Sequence, residues 1–375
     1  MILFCGVPSE EPLRLAIEAA EKRGLPFLLL NQRESHYLGL RLTVTNEVFD
    51  GTLAVGEATY RLSDIQGIYS RMIDSTVLPE NRTFRHRTPD QAAVERSRVF
   101  HEAFCQWLEL ADCRVLNRPG PMASNMSKPY QCRLISRCGF EIPTTLVTND
   151  PDEAVAFHRK HGRIIFKSIS SIRSIVREFD PNDRRALQRL RHLPTQFQAF
   201  VPGVNLRVHT AGTRLFATEI VTGATDYRYA ARDGQDLTMR PIELPDDIAA
   251  RCLRLSQELN LPLCGIDLKR TPDGAYYCFE VNPSPAYSFY EEQTGQPIAE
   301  AIVDYLLAPY NESHGSSDRR KLDGFGRAGA VGFAGSGRGP ARRRGDSRAP
   351  RPSGGRICEP ARGRGGNGRA GVRGE

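Results

Sequence analysis

Gly265-Ile-Asp-Leu-Lys-Arg-Thr-Pro-Asp-Gly-Ala-Tyr-Tyr-Cys-Phe-Glu-Val-Asn-Pro-Ser-Pro285 reads as two strands joined by a tight turn. Leu263 to Leu268 is largely apolar, Pro272-Asp273-Gly274 is turn chemistry, and Ala275 to Val281 is rich in β-formers again. Paired strands lie about 5 Å apart, so Asp267 on the first can face Glu280 on the second. Asn282 follows Glu280 by two residues and therefore shares its face. Two carboxylates and an amide oxygen are hard donors, the kind Mg²⁺ takes while keeping positions open for nucleotide phosphates. A solvated acidic face is the competing reading of the same pair. Pro283, directly after Asn282, stops the strand and leaves the Asn side chain at its mouth, which favours the metal reading.

The chain has 375 residues, enough for two or three domains, and an apolar fraction of 40% that can fill real cores. It contains no run of 18 apolar residues, so no membrane-spanning helix is expected. Met1-Ile-Leu-Phe-Cys-Gly-Val7 lacks a basic region and a long apolar segment, and reads as a first strand rather than a signal peptide. Nine cysteines are scattered without a Cys-x-x-Cys pair. Free thiols in a reducing cytoplasm are expected, and a zinc site is not. The net charge of +7 is unevenly spread. Residues 311–375 carry 15 Lys/Arg against 6 Asp/Glu, while the rest carries 36 against 38. That Gly/Arg-rich tail has too few large apolar residues to offset the cost of ordering, so it reads as disordered.

Taken in order, residues 1–119 read as a small α/β unit. A strand at Ile2 to Val7, a helix at Glu10 to Arg23 ended by Gly24, and a continuous apolar strand at Phe27 to Leu30 suggest a parallel sheet. No Gly-x-Gly-x-x-Gly follows the first strand, so a dinucleotide site is not supported. Shorter β-like runs follow, then Ile65 to Arg71 with an exposed arginine at its end, and a long helix from Pro89 to Leu110 carrying Trp107 as a core residue. A second segment, 120–195, holds a helix capped by Ser124 or Asn125 with Lys128 in its first turn. Within it, a strand from Arg163 has Lys167 at its end and the small-residue loop Ser168 to Ser174 after it. A third, 196–310, holds three strands (Gln196 to Val201, Leu206 to Thr210, Leu215 to Val221), a helix from Asp246 to Leu259, the hairpin, and a closing helix from Phe289 to Leu307 broken near Gly295-Gln-Pro297. A lysine at the mouth of a sheet beside a flexible loop suits polyphosphate; a solvated lysine is the rival reading for both Lys128 and Lys167.

Asp267 together with Glu280-Val-Asn-Pro283 resembles the magnesium hairpin of the ATP-grasp superfamily, ATP-dependent ligases that join a carboxylate to an amine or a hydroxyl. The resemblance implies an ATP-grasp fold: two α+β lobes clamping ATP, here preceded by a small α/β pre-ATP-grasp domain. It implies that Lys128 and Lys167 reach the phosphates. It also implies that Gln198, Ala199, Phe200 and Val201 form an inter-lobe hinge bound to the adenine edge, and that Asn205 meets the ribose. Arg207 shares a face with Asn205 at period two and is a candidate for the reacting anion; a structural ion pair is its rival role. Arg228, in Asp226-Tyr-Arg228, is a second candidate, and Arg240 follows. Within the superfamily, Tyr69-Ser-Arg71, Ile142-Pro-Thr-Thr-Leu-Val-Thr-Asn149, Phe216-Ala-Thr-Glu-Ile220 and Thr294-Gly-Gln-Pro-Ile298 resemble the branch of ribosomal-protein glutamate ligases and microviridin-type (graspetide) peptide maturases.

What this implies is a cytoplasmic carboxylate–amine or carboxylate–hydroxyl ligase using ATP with Mg²⁺, or Mn²⁺ in its place. It would work through an acyl phosphate, release ADP, and act on a carboxylate-bearing peptide, protein or small molecule, with a homo-oligomer left open. A nucleotide-binding scaffold without turnover and a small-molecule amide ligase are the alternatives. A third is RNA binding by the tail, which would show as a difference in filter binding between the full chain and one ending at Asn311.

Overall fold

The computed structural model describes residues 1–46, 49–82, 88, 90–168, 176–222 and 236–310. The Ser168–Ser174 loop beyond its first residue, Arg228 and the tail from 311 lie outside these residues. The described residues all belong to one compact unit, Met1–Gly315.

The first strands and helix form where the apolar runs suggest. β1 (Ile2–Gly6) is buried along its whole length and pairs in parallel with β2 (Phe27–Asn31) across α1 (Glu11–Lys22). Leu13, Ala16 and Ala20 turn inward from α1, and Gly24, at φ +62°, lets the chain leave the helix. β3 (Leu38–Val44), β4 (Phe49–Val55) and β5 (Ala58–Arg61) make a small antiparallel sheet. β6 (Gly67–Ser70) and β7 (Arg114–Leu116), with the long α2 (Gln91–Leu110) between them in the chain, complete the first sheet, in the order β2-β1-β6-β7. Trp107 is core, packed edge-on against Phe104.

The helix expected from Ser124 or Asn125 starts later. Pro119 and Pro121 open a short α3 (Pro119–Met122), a 3₁₀ turn covers Ala123–Met126, and α4 runs Lys128–Arg137 with Ser127 as its N-cap. Pro129 explains the shift. A proline without an N–H is at home in the first turn, whereas a helix begun at 125 would drive its ring into the preceding turn. Lys128 is thus the first helical residue.

Two antiparallel sheets follow. The smaller contains β8 (Thr145–Thr148), β9 (Ile164–Ser168), β10 (Arg177–Glu178) and β11 (Thr195–Ala199), ordered β10-β9-β11-β8. α5 (Pro151–His161) and α6 (Arg184–Leu190) belong to the same stretch, and Ala154, Ile164, Phe179, Leu190 and Phe197 form its core. The larger is ordered β14-β13-β12-β15-β16, from β12 (Val204–Ala211), β13 (Arg214–Thr222), β14 (Leu237–Ile242), β15 (Leu263–Arg270) and β16 (Tyr276–Asn282). Leu206, Val208, Ile266 and Leu268 cover one of its faces and pack on α4 and on α7 (Asp246–Glu258) through Ile135, Ile248, Cys252 and Leu255. α8 (Ser288–Thr294) and α9 (Ile298–Leu307) are separated at Gly295, φ +67°. α9 packs through Ile302 and Leu306 into a core shared with Ile2, Phe4, Phe216 and Leu263.

The segment leaving the hairpin is pinned to the N-terminal unit. Buried Asn117 donates to the Leu263 carbonyl at 2.5 Å and the Pro283 carbonyl at 2.7 Å, and accepts from the Leu263 N–H at 3.2 Å. Arg71, expected to be exposed, has a side chain only 9% accessible. It pairs with Glu10 and donates to the Pro285 carbonyl at 3.0 Å, because strand β6 ends against this segment rather than in solvent. Asn117→Ala would leave buried partners unpaired at about 1–3 kcal/mol each. We expect a loss on the order of 3 kcal/mol in urea unfolding.

Candidate active site

Asp267 and Glu280 do oppose each other, through a device the sequence reading missed. From the turn, the register runs Arg270↔Tyr276, Lys269↔Tyr277, Leu268↔Cys278, and then jumps to Asp267↔Glu280. Phe279 is the extra residue of a β-bulge. Without it Asp267 would face Phe279, and Glu280 would point to the other side of the sheet. Asn282 sits opposite Gly265, and its Oδ1 accepts from the Ser284 N–H at 2.9 Å, which fixes the exit turn.

Arg207 on β12 lies directly across from Asp267. Its Nη1 is 2.6 Å from Asp267 Oδ1, and its side chain is 6% accessible against 33% for the acid. The ion pair weighed as Arg207's rival role is therefore present, and its partner is one of the expected metal ligands. Asn205, on the same face, pairs in register with Lys269. Arg240 is taken up elsewhere: it and Arg270 hold Glu219, which is 4% accessible.

Two lysines lie within electrostatic reach of this pair. Lys128 and Lys167 are 5% and 7% exposed. Burial holds the Lys167 ammonium below its usual pKa and Lys128 pushes it the same way, while Glu280, Cys132 and Asp267 act in the opposite direction. The two lysines and the two carboxylates thus share one electrostatic neighbourhood. Cys132, one turn beyond Lys128 on α4, joins them. No sequence signal marked it, since a half-buried cysteine on a helix face is common.

Along β11, Gln196 and Gln198 share a face with Lys167, Gln196 being its direct partner in register. They are 2% and 1% exposed. Gln198 Nε2 donates to Thr145 Oγ1 at 3.1 Å, but among the described residues the Oε1 of each glutamine has no hydrogen-bond partner. At the hinge, the Ala199 N–H donates to the Thr144 carbonyl and the Phe200 N–H to the Arg163 carbonyl, both at 3.0 Å. The Val201 carbonyl accepts from Lys269 Nζ at 3.1 Å, so part of the backbone expected at the adenine edge is already engaged.

These residues fit Mg²⁺ and a nucleotide. Among the described residues no group of three His, Cys, Asp or Glu could hold a metal, but Mg²⁺ needs only one or two carboxylates when phosphates complete its shell. The Lys167 ammonium, buried and disfavoured by its neighbour Lys128, gains when an anion arrives, and the Gln196 and Gln198 amide oxygens, buried and without donors among the described residues, gain when a donor does. A polyphosphate and a base amino group supply both.

Residues 126–306 match the family described as "RimK-like ATP-grasp domain". That match, just under half of the chain, marks a RimK-like ATP-grasp domain, the kind found in ligases that use ATP and Mg²⁺, as the motifs implied. Over 319 residues it is 25% identical to a "Probable alpha-L-glutamate ligase" of Rhodopirellula baltica, covering 82% of this chain and 70% of that protein. In fold it is similar to the Chryseobacterium gregarium RiPP-associated ATP-grasp ligase in complex with ADP and a leader and core peptide. There the TM-score is 0.68 at 23% identity, covering 82% of this chain and 97% of that one. It is also similar to the ATP-grasp ligase PsnB complexed with minimal precursor, Mg and ADP, with TM-score 0.65, 22% identity, and 82% and 96% covered. Among the described residues no helix is long and apolar enough to cross a membrane.

Proposed function

We propose that the chain joins a carboxylate of a peptide or protein to an amine or hydroxyl at the expense of ATP. The observation that carries this is the opposition of Asp267 and Glu280 at the bulge, with Arg207 and Lys167 around them. Asp267, Glu280 and Asn282 would hold the magnesium ion, which when bound neutralises charge on the phosphate oxygens. Lys128 and Lys167 compensate the polyphosphate from buried positions. Gln198, with the hinge Ala199, Phe200 and Val201, receives the base, and Asn205 receives the ribose. The substrate carboxylate attacks the γ-phosphorus and ADP leaves; the amine or hydroxyl then displaces phosphate from the acyl phosphate. Arg207, and Arg228 outside the described residues, steady the anion. The chemistry is positioning and charge compensation.

The peptide substrate is supported by the fold neighbours, whose names include leader, core and precursor peptides. A cytoplasmic location is supported by the eight described cysteines, all free thiols. With Mg-ATP and a synthetic peptide bearing Glu, Lys and Ser, we expect one ADP per link and a peptide lighter by one water per link in mass spectrometry. A peptide that instead gains glutamate from solution would favour amino-acid addition, and ADP formation with neither would favour a scaffold.

A further inference from the structure

We propose that His209 is the positioning residue for Arg207: it accepts a hydrogen bond from the guanidinium and so fixes the plane in which Arg207 faces the reacting anion. This rests on the role given to Arg207 above. Residues 205, 207 and 209 alternate onto one face of β12. Arg207 Nε is 3.3 Å from His209 Nε2, while Nη1 is held by Asp267. The guanidinium lies over Gly265, where a Cβ would come within 2.0 Å of Nη2, so the space exists only because that residue is glycine. Below it, the His209 ring meets Tyr290 edge-on at 4.7 Å, and Arg207 Cζ is 5.7 Å from the same ring.

The chemistry fixes the state of the imidazole. An arginine can only donate, so in this contact Nε2 is the acceptor and the ring proton sits on Nδ1, which has no hydrogen-bond partner among the described residues. His209 is fully buried, and burial together with Arg207 pushes its pKa well below the usual value, which keeps the ring neutral. A long, flexible arginine at an anion site needs its fork aligned before the reaction. Asp267 alone fixes one nitrogen; His209 fixes a second.

The test needs no identified substrate. In the full chain labelled with ¹⁵N-histidine, the signal lost in His209→Gln identifies His209. We expect a neutral ring protonated on Nδ1 whose Nε2 resonance moves in Arg207→Met. A ring protonated on Nε2, an imidazolium, or a resonance unmoved in Arg207→Met overturns the contact. The second arm is calorimetric binding of inorganic phosphate to the Mg·ADP-loaded protein. His209→Phe, which keeps the ring against Tyr290, should weaken phosphate by about tenfold, the loss of one ordinary hydrogen bond. His209→Gln, which keeps an acceptor, should restore it, and Mg·ADP affinity should be equal in all three. Wild-type phosphate binding in the Phe variant, or no rescue by Gln, overturns the positioning role. If Arg207→Met itself binds phosphate normally, the role assigned to Arg207 falls and takes the functional half of this proposal with it. The tautomer measurement still judges the contact.

Discussion

Glu280→Gln is expected to leave the chain folded and to lower ATP-dependent product formation by about a hundred- to a thousandfold, the cost of removing one preorganised electrostatic contact. The substitution keeps the size of the side chain and its place opposite Asp267 at the bulge. It removes a hard anionic donor, which Mg²⁺ prefers to an amide. It also removes one of the negative charges that offset the Lys167 ammonium. A urea midpoint close to wild type with turnover lost places Glu280 in the chemistry. Undiminished turnover would remove the hairpin from the site.

Lys167→Met is expected to act in opposite directions on the empty and the loaded protein. Lys167 is almost fully buried, and Lys128 nearby disfavours its charge. Methionine fills much of the same space without a charge, so the nucleotide-free protein should melt no lower than wild type, and higher if Glu280 and Asp267 compensate the ammonium incompletely. Nucleotide affinity should fall about ten- to a hundredfold, since a charge-assisted bond contributes about 1.5–3 kcal/mol. The pH dependence has a defined sign. The folded pKa lies below 10.5, so between the two values the unfolded chain binds the extra proton and stability rises with pH. Below the folded pKa the cost of the buried charge is fully present. The variant should flatten that rise. Calorimetry and melting curves against pH measure both effects, and a variant that binds Mg-ATP as tightly as wild type would return Lys167 to a structural role.

The hairpin was legible because its turn residues and its two β-rich runs are local signals, and the strands of the N-terminal sheet because continuous apolar runs mark a parallel arrangement. The bulge was not legible. Nothing in Tyr276-Tyr-Cys-Phe-Glu280 marks Phe279 as the residue to be skipped, yet that skip brings the two carboxylates together. β14 escaped because Pro241 argues against a strand; it lies at the edge of its sheet, where a missing N–H is tolerated. α6 escaped because seven residues with three arginines present too little apolar periodicity. Gln196 reads as an ordinary polar residue, and only its register beside Lys167 and the unpaired Oε1 single it out. The Arg207–Asp267 pair joins residues 60 positions apart, and no local pattern could supply it.

In the site proposed here nucleotide and metal bind together, the phosphates on Lys128 and Lys167 and the metal on Asp267 and Glu280. The measurement is the melting temperature of the full chain with Mg-ATP, with ATP in EDTA, and with Mg²⁺ alone. A ligand at 100 times its Kd stabilises by about 2.7 kcal/mol. We expect a clear rise with Mg-ATP and a much smaller one with either component by itself. No rise with Mg-ATP, or an equal rise with ATP in EDTA, would contradict it.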